Sequence, residues 1–140
     1  MDLNEERTAG YSESTKEVLN QTSMAEITNI ETFNGKEAYH VLQGTNEAGE
    51  EKLIFYPLEG NEKTLTTIDT EDIMSRKAVR DQWRTNCNSC KLIKITPALI
   101  DEEVLWELTY YDENNRYVFD YISIYDGSPY EKIRYLRMFN

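Results

Sequence analysis

The sequence predicts an α+β protein made of two similar units, each a helix packed on a four-stranded antiparallel sheet. The strand–turn–strand pattern of residues 37–56 returns at residues 103–122, and a charged, helix-like segment precedes each copy. Halves of about 70 residues lie near the lower size limit of stable domains. We therefore predict a flexible lead at residues 1–10 and two small domains, at residues 11–68 and 69–140.

The first unit opens with a predicted helix over residues 11–26, in which Val18 and Leu19 continue a roughly helical spacing of apolar residues. Asn34-Gly35 is a strong signal for a type I′ hairpin turn between two strands. Apolar runs separated by turn residues predict four strands, at residues 27–34, 38–45, 51–57 and 64–68.

The second unit opens at Thr70, which is a predicted N-cap. Two carboxylates follow it, where the helix dipole favours negative charge, and the helix is predicted to end at Thr85. Asn114-Asn115 is a tight-turn signal, because asparagine tolerates positive φ. Four further strands are predicted, at residues 91–99, 103–111, 116–124 and 130–138.

The net charge of −11 argues against nucleic acid and anionic lipid as partners, because both require a surplus of lysine and arginine. No run of 18 apolar residues predicts a transmembrane helix, and no signal-peptide pattern begins at Met1. The sequence also contains no nucleophile-elbow, P-loop, dinucleotide-binding, zinc-protease or EF-hand motif. We therefore expect a binding domain rather than an enzyme.

Cys87 and Cys90 form a C-x-x-C pair, which is typical of a redox motif, half of a zinc site or a small disulfide loop. A zinc site needs about four ligands, so it would require carboxylates or a second chain beside this pair. A thioredoxin-like motif begins a helix, whereas this pair follows a predicted helix. We expect the pair to lie in a connecting loop without metal, and to form a local disulfide in an oxidising compartment.

His40 is the only histidine in the sequence and lies in a predicted strand, with no serine or cysteine motif to pair with. A role as general base is therefore not expected. The acidic residues at 101–103 and 112–113 lie at predicted strand ends and turns, where water solvates carboxylates and leaves their chemistry ordinary. None of these residues is predicted to be catalytic.

Seven of the ten tyrosines lie between residues 110 and 135, on the strands of the second unit. Packing across strands accounts for aromatic residues in many sheets. A protein-binding surface is the alternative, because tyrosine is favoured in interfaces. Tyr111 and Tyr117 flank the turn that holds Asp112 and Glu113, and we predict that these four residues form a binding surface for a basic partner.

Two parts of the sequence are similar to one known family. The run Ile30-Glu-Thr-Phe-Asn-Gly-Lys-Glu-Ala-Tyr-His-Val-Leu-Gln-Gly-Thr45 resembles the opening strands of the YpmB, or TseB-like, family. The runs Leu105-Trp-Glu-Leu-Thr-Tyr-Tyr-Asp112 and Tyr121-Ile-Ser-Ile-Tyr-Asp-Gly127 resemble its second half. The resemblance covers about residues 26–135, in the same order and spacing.

The resemblance implies two cystatin-like, or PepSY-like, units in tandem on the outer face of a Gram-positive cell membrane. It implies one N-terminal membrane anchor, which is absent from residues 1–140, and no assigned catalytic residues. The Cys87/Cys90 pair is not typical of the family.

The function implied by the resemblance is regulation of cell-wall elongation through contact with a penicillin-binding protein. We therefore expect a non-catalytic, extracytoplasmic protein-binding domain that needs no cofactor and binds no nucleic acid. Two alternatives remain open. One is a PepSY-like inhibitor or chaperone of a secreted peptidase, and the other is a small enzyme with a deep pocket in a cystatin-like cone.

Overall fold

The described residues form an α+β fold with two antiparallel sheets and two α-helices, which confirms the α+β class predicted from the sequence. The computed structural model describes residues 10–61 and 63–130, together with the backbone of 135–136. The chain divides into two compact units between Asp72 and Ile73. Residues 1–9 of the flexible lead predicted at residues 1–10 lie outside the described residues, and Gly10 is the N-cap residue of the first helix.

The first unit is one helix followed by four strands that pair in sequence order, β1-β2-β3-β4. Its elements are α1 (Tyr11–Gln21), β1 (Met24–Asn34), β2 (Ala38–Asn46), β3 (Glu51–Pro57), β4 (Thr66–Asp69) and a 3-10 turn (Thr70–Asp72). The predicted helix over 11–26 is therefore too long. Thr22 leaves the helical conformation, and its hydroxyl accepts a hydrogen bond from the backbone N–H of Met24, where β1 begins.

The core of the first unit lies on both sides of its two central strands. Side chains on one face, together with α1, form a cluster of Val18, Met24, Leu42, Ile54 and Tyr56. The other face of the same two strands is also buried, at Tyr39, Val41, Leu53 and Phe55, and Phe33 of β1 is buried as well. Because both faces are buried, β2 and β3 carry nearly continuous apolar runs rather than an alternating pattern.

The predicted type I′ turn at Asn34-Gly35 is wrong, and a turn of this kind occurs in the other unit. Asn34 pairs with Ala38 across a three-residue loop, and neither Asn34 nor Gly35 is among the described residues with positive φ. Asp101 and Glu102 have φ angles of 49° and 68°, and they join two strands as a two-residue hairpin loop. Positive φ at both central residues is the mark of a type I′ turn.

The second unit repeats the order of helix and strands, β5-β6-β7-β8. Its elements are α2 (Arg76–Asn86), β5 (Lys91–Ile100), β6 (Glu103–Tyr111), β7 (Tyr117–Ser123) and β8 (Tyr135–Leu136). Most of the predicted strand over 130–138 lies outside the described residues. The predicted N-cap at Thr70 is wrong: the cap is Ser75, whose hydroxyl accepts from the backbone N–H of Ala78 at 3.1 Å.

Helix α2 begins late because the segment before it is held by other hydrogen bonds. The Thr70 hydroxyl donates to the carbonyl of Glu51, and the Met74 N–H donates to the carbonyl of Ile124 at 2.8 Å. The second bond uses an N–H that a helix capped by Thr70 would have paired with the Thr70 carbonyl. The buried side chains of α2 are Val79 and Trp83, one helical turn apart.

Candidate functional site

Three aromatic side chains line one face of the second sheet beside the β6–β7 turn. Tyr111 and Tyr117 are directly paired across the strands, with ring centroids 5.4 Å apart, and Phe119 follows at 5.1 Å from Tyr117. Tyr111 is 37% exposed, and the other two rings are half-buried. We call Tyr111, Tyr117 and Phe119 the aromatic surface.

The aromatic surface lies on the face of the sheet opposite to helix α2. Side chains alternate along a strand, so Tyr110 and Tyr111 point to opposite faces. The Tyr110 ring packs edge-on against Trp83 of α2 at 5.5 Å. The face that carries Tyr111 therefore does not contact α2 at this end of the sheet.

Asp112 has a structural role inside the turn. Its carboxylate accepts hydrogen bonds from the backbone N–H groups of Asn114 and Arg116, and from Arg116 Nε at 2.7 Å. Partial desolvation acts to raise its pKa, but the hydrogen bonds from Arg116 and Asn114 outweigh this and hold the pKa below the usual value. Only 11% of the side chain is exposed, so Asp112 offers little of its carboxylate to a partner.

Glu113 is exposed at the tip of the same turn, beside the cysteine pair. Cys87 and Cys90 form a disulfide in the loop between α2 and β5. A carboxylate oxygen of Glu113 and the two sulfur atoms all lie within 4.8 Å of one another. The fold thus brings Glu113 next to the cysteine pair, although more than 20 positions separate them in the sequence.

Two lysines of β5 lie beside the aromatic surface, on the strand that pairs with β6. Lys91 is paired with Tyr111, and Lys94 is paired with Thr109, which is itself paired with Phe119. Both lysines are exposed, and Ile93, in the β-bulge between them, is 44% exposed. The surroundings of the aromatic surface are therefore mixed in charge, rather than acidic as the sequence suggested.

Other tyrosines of this region have internal roles. Tyr121 is buried, and its hydroxyl donates to the Glu107 carboxylate at 2.8 Å. Tyr110 packs on Trp83 as described above, whereas Tyr125 is 50% exposed in the turn after β7. The side chain of Tyr135 lies outside the described residues.

His40 has a partner that sequence reasoning missed. Ser14 Oγ of α1 lies 2.6 Å from His40 Nδ1, and both residues are buried, at 2% and 4% exposure. The ring of Tyr11 packs edge-on against His40 at 4.7 Å, and its hydroxyl lies 2.9 Å from Thr32 Oγ1. The cluster attaches the first turn of α1 to the sheet. A serine and a histidine 26 positions apart carry no local sequence signal that would reveal it.

The groups that surround His40 make its neutral form the stable one. Ser14 faces it from α1, Thr32 from β1 and Tyr56 from β3. Burial, followed by the hydrogen bond to Glu17, raises the pKa of Tyr56 to about 12, so this neighbour stays uncharged. Burial also lowers the pKa of His40 below its ordinary value of 6.5.

We expect the first unit to lose stability as the pH falls through the ordinary histidine pKa. The unfolded chain protonates His40 near pH 6.5 and the folded chain only at lower pH, so the unfolded state gains the extra proton first. Urea unfolding at about pH 7.5 and about pH 5.5 measures the difference in the free energy of unfolding. His40→Asn, which keeps an acceptor near Ser14, is expected to remove that part of the pH dependence. If the wild type and His40→Asn lost the same free energy of unfolding on acidification, the pH dependence could not be assigned to His40.

The described residues contain no helix that is long and apolar enough to cross a membrane.

Comparison with known proteins agrees with the resemblance found in the sequence. A protein-family model described as "Cell wall elongation regulator TseB-like domain" matches residues 13–57. The "Probable cell wall elongation regulator TseB" of Bacillus subtilis (strain 168) is 28% identical over 127 residues, which cover 89% of this chain and 76% of the relative.

A solved structure shows the same fold. It is titled "YpmB protein from Bacillus subtilis", and it matches this chain with a TM-score of 0.76 and 22% identity. The match covers 88% of this chain and 95% of that one. The domain match, the related sequence and the shared fold together confirm the predicted recognition of this chain as similar to the YpmB, or TseB-like, family.

Proposed function

We propose that this chain is a non-catalytic, extracytoplasmic protein-binding domain that regulates cell-wall elongation. The printed names of the matching domain and of the Bacillus subtilis relative support the regulatory role. Its partner in this proposal is a penicillin-binding protein, which the resemblance of the sequence implies. In this proposal an N-terminal membrane anchor, which the resemblance implies, holds the domain at the outer face of the membrane.

The proposal includes a fold of two tandem cystatin-like units, at residues 11–68 and 69–140. Each half presents one α-helix followed by a four-stranded antiparallel sheet whose strands pair in sequence order. A common origin by duplication explains why both halves use the same order of elements. In this proposal each sheet packs one face against its own helix, and the second sheet carries the aromatic surface on its other face.

The observation that carries the binding proposal is the aromatic surface. Rigid aromatic rings lose little conformational entropy on binding and supply large contact areas, which is why they dominate the energetics of many interfaces. Tyr111 and Tyr117 pack against each other, so they are already ordered before a partner arrives. Glu113 and the two exposed lysines supply polar groups at the rim of this patch.

The role proposed for Asp112 differs from that of its neighbours. Its carboxylate fixes the β6–β7 turn through Asn114 and Arg116, so it positions Tyr111, Glu113 and Tyr117 instead of contacting the partner. Within this turn, the carboxylate that a partner can contact is therefore that of Glu113. The overall charge of −11 still favours a partner whose contact surface is basic.

The double variant Tyr111→Ser/Tyr117→Ser tests the binding surface. We expect capture of a purified penicillin-binding protein to weaken by about 30-fold or more, since interface hot spots contribute about 2 kcal/mol or more. The variant loses two aromatic pairs, Tyr111–Tyr117 and Tyr117–Phe119, each worth about 1 kcal/mol, so the melting temperature should fall by about 10 °C without collapsing.

The matched control is Tyr125→Ser, which removes a more exposed tyrosine from a turn of the same unit. Its capture of the partner should equal that of the wild type. Unchanged capture by the double variant would disprove the proposed surface. A collapse of the melting temperature would show instead that the two rings mainly stabilise the sheet.

An enzymatic role has one observation in its favour, which is the hydrogen bond between Ser14 and His40. In our proposal this pair is structural, because both side chains are almost fully buried between α1 and the sheet. A substrate would have to displace the helix to reach the serine oxygen. Ser14→Ala should therefore change the stability of the first unit and leave partner capture intact.

A further inference from the structure

The C-x-x-C pair gains a third metal-binding group in the folded protein. Cys87 ends helix α2, Cys90 precedes β5, and Glu113 projects from the turn between β6 and β7. One carboxylate oxygen and two sulfur atoms lie within 4.8 Å of one another. Three separate elements of the second unit therefore bring one carboxylate and the two sulfur atoms of the disulfide to a single point.

The spacing of these atoms suits a tetrahedral zinc ion. Two cysteines separated by two residues supply two of the four ligands in many zinc sites, with a Zn–S distance of about 2.3 Å. Two such ligands of a tetrahedral ion are about 3.8 Å apart. Reduction must first break the bond between the two sulfur atoms so that they can move about 3.8 Å apart, while the Glu113 oxygen already lies within 4.8 Å of both.

Hydrogen bonds inside the β6–β7 turn hold Glu113, the third ligand, near the two sulfur atoms. The carboxylate of Asp112 accepts bonds from the backbone of Asn114 and Arg116, which fixes the loop that carries Glu113. Both cysteines are half-buried, whereas Glu113 is exposed. One side of the cluster therefore remains open to water for a fourth ligand.

We propose that the reduced Cys87/Cys90 pair and Glu113 form a binding site for a thiophilic divalent cation such as Zn²⁺, and that the disulfide is the closed form of the same site. Water or another exchangeable ligand occupies the fourth position. In this proposal the oxidised protein binds no metal, and Glu113 supplies the carboxylate that a zinc site at this pair requires. The site shares Glu113 with the proposed protein-binding surface, but it does not rest on that function, because its test measures metal binding alone.

Interconversion of the two forms is a two-electron reaction. A dithiol reductant attacks the Cys87–Cys90 disulfide, becomes a disulfide itself and leaves two thiols on this protein. Binding of Zn²⁺ to the two thiols releases two protons, because only thiolates coordinate the metal.

Metal titration of the full chain tests the site. The protein is reduced with a phosphine, desalted without oxygen and titrated with Co²⁺, whose thiolate bands report coordination by sulfur, and then with Zn²⁺. We expect one Co²⁺ per reduced chain, displaced by one Zn²⁺, and no binding by the oxidised chain. Cys87→Ser/Cys90→Ser should abolish the thiolate bands.

Glu113→Gln tests the third ligand. Partners in the outer shell of a metal site change its affinity about 10–100-fold, so loss of a direct ligand should weaken Zn²⁺ binding at least about tenfold. The matched control is Glu103→Gln, which removes the same charge at the other end of β6. Its affinity should equal that of the wild type.

Three results would overturn the proposal. Reduced wild type that binds no more metal than the double serine variant would show that no thiolate site exists. Equal affinities of Glu113→Gln and Glu103→Gln would remove Glu113 from the site. Equal binding by the oxidised and reduced forms would disprove control by the disulfide.

Discussion

Replacing Gly44 with alanine is expected to destabilise the first unit by about 3 kcal/mol or more. Gly44 is buried in β2 and pairs with Ile27, beside the β-bulge of β1. A Cβ atom at this position would overlap the carbonyl oxygen of Glu26 and lie 2.9 Å from Cα of Ile27. These are backbone atoms, so no side-chain rotation relieves the clash and β1 itself must move.

Urea unfolding followed by far-UV circular dichroism measures this loss, and hydrogen exchange of peptides from β1 and β2 localises it. Both tryptophans lie in the second unit, at positions 83 and 106, so their fluorescence reports that unit separately. The control is Gly49→Asn. Gly49 has φ of +82° but open space around it, and asparagine tolerates this conformation, so we expect a loss below about 1 kcal/mol. A Gly44→Ala protein as stable as this control would contradict the close approach of the two strands.

Gly44 also shows where sequence patterns stop being informative. The strands of both sheets could be predicted because apolar runs and turn residues are local features of the chain. The glycine within β2 gave no such signal, since its role depends on the carbonyl of Glu26 in the neighbouring strand. The register shift in β1 that brings this carbonyl close depends on pairing and not on composition.

The ends of helices were predicted less well, for a related reason. The first helix ends five residues early, because Thr22 adopts an extended conformation before β1. The second begins after Ser75 and not after Thr70, because Thr70 and Met74 bond to Glu51 and Ile124. In both places a tertiary or side-chain hydrogen bond competes with a plausible helical signal.

The candidate site shows the same division between local and long-range information. The opposition of Tyr111 and Tyr117 follows from a short turn between two strands, and the sequence was enough to suggest it. Long-range contacts account for what was missed, namely Ser14 beside His40 and Glu113 beside the cysteine pair. The internal role of Asp112 is local, and an aspartate that begins a turn and caps it with its carboxylate could have been recognised.

The second unit should be most sensitive to the loss of Trp106, whose replacement by alanine is expected to cost about 3–5 kcal/mol of unfolding free energy. Trp106 is only 2% exposed, and its Nε1 donates to the carbonyl of Met74 at 3.0 Å. The guanidinium of Arg76 lies over the ring, 5.2 Å from its centre, and also donates to the carbonyl of Ile95. One side chain therefore joins β6 to the segment from which α2 starts.

Trp106→Phe separates the two contributions of this side chain. Phenylalanine retains most of the buried apolar volume but leaves the Met74 carbonyl without its donor, which costs about 1–3 kcal/mol. We expect stability to decrease from wild type to Trp106→Phe to Trp106→Ala, measured by urea unfolding with Trp83 as the remaining fluorophore. Equal losses for both variants would mean that the hydrogen bond to Met74, rather than the filled volume, holds the start of α2 against the sheet. A loss below about 1 kcal/mol for Trp106→Ala would show that this residue does not anchor the helix.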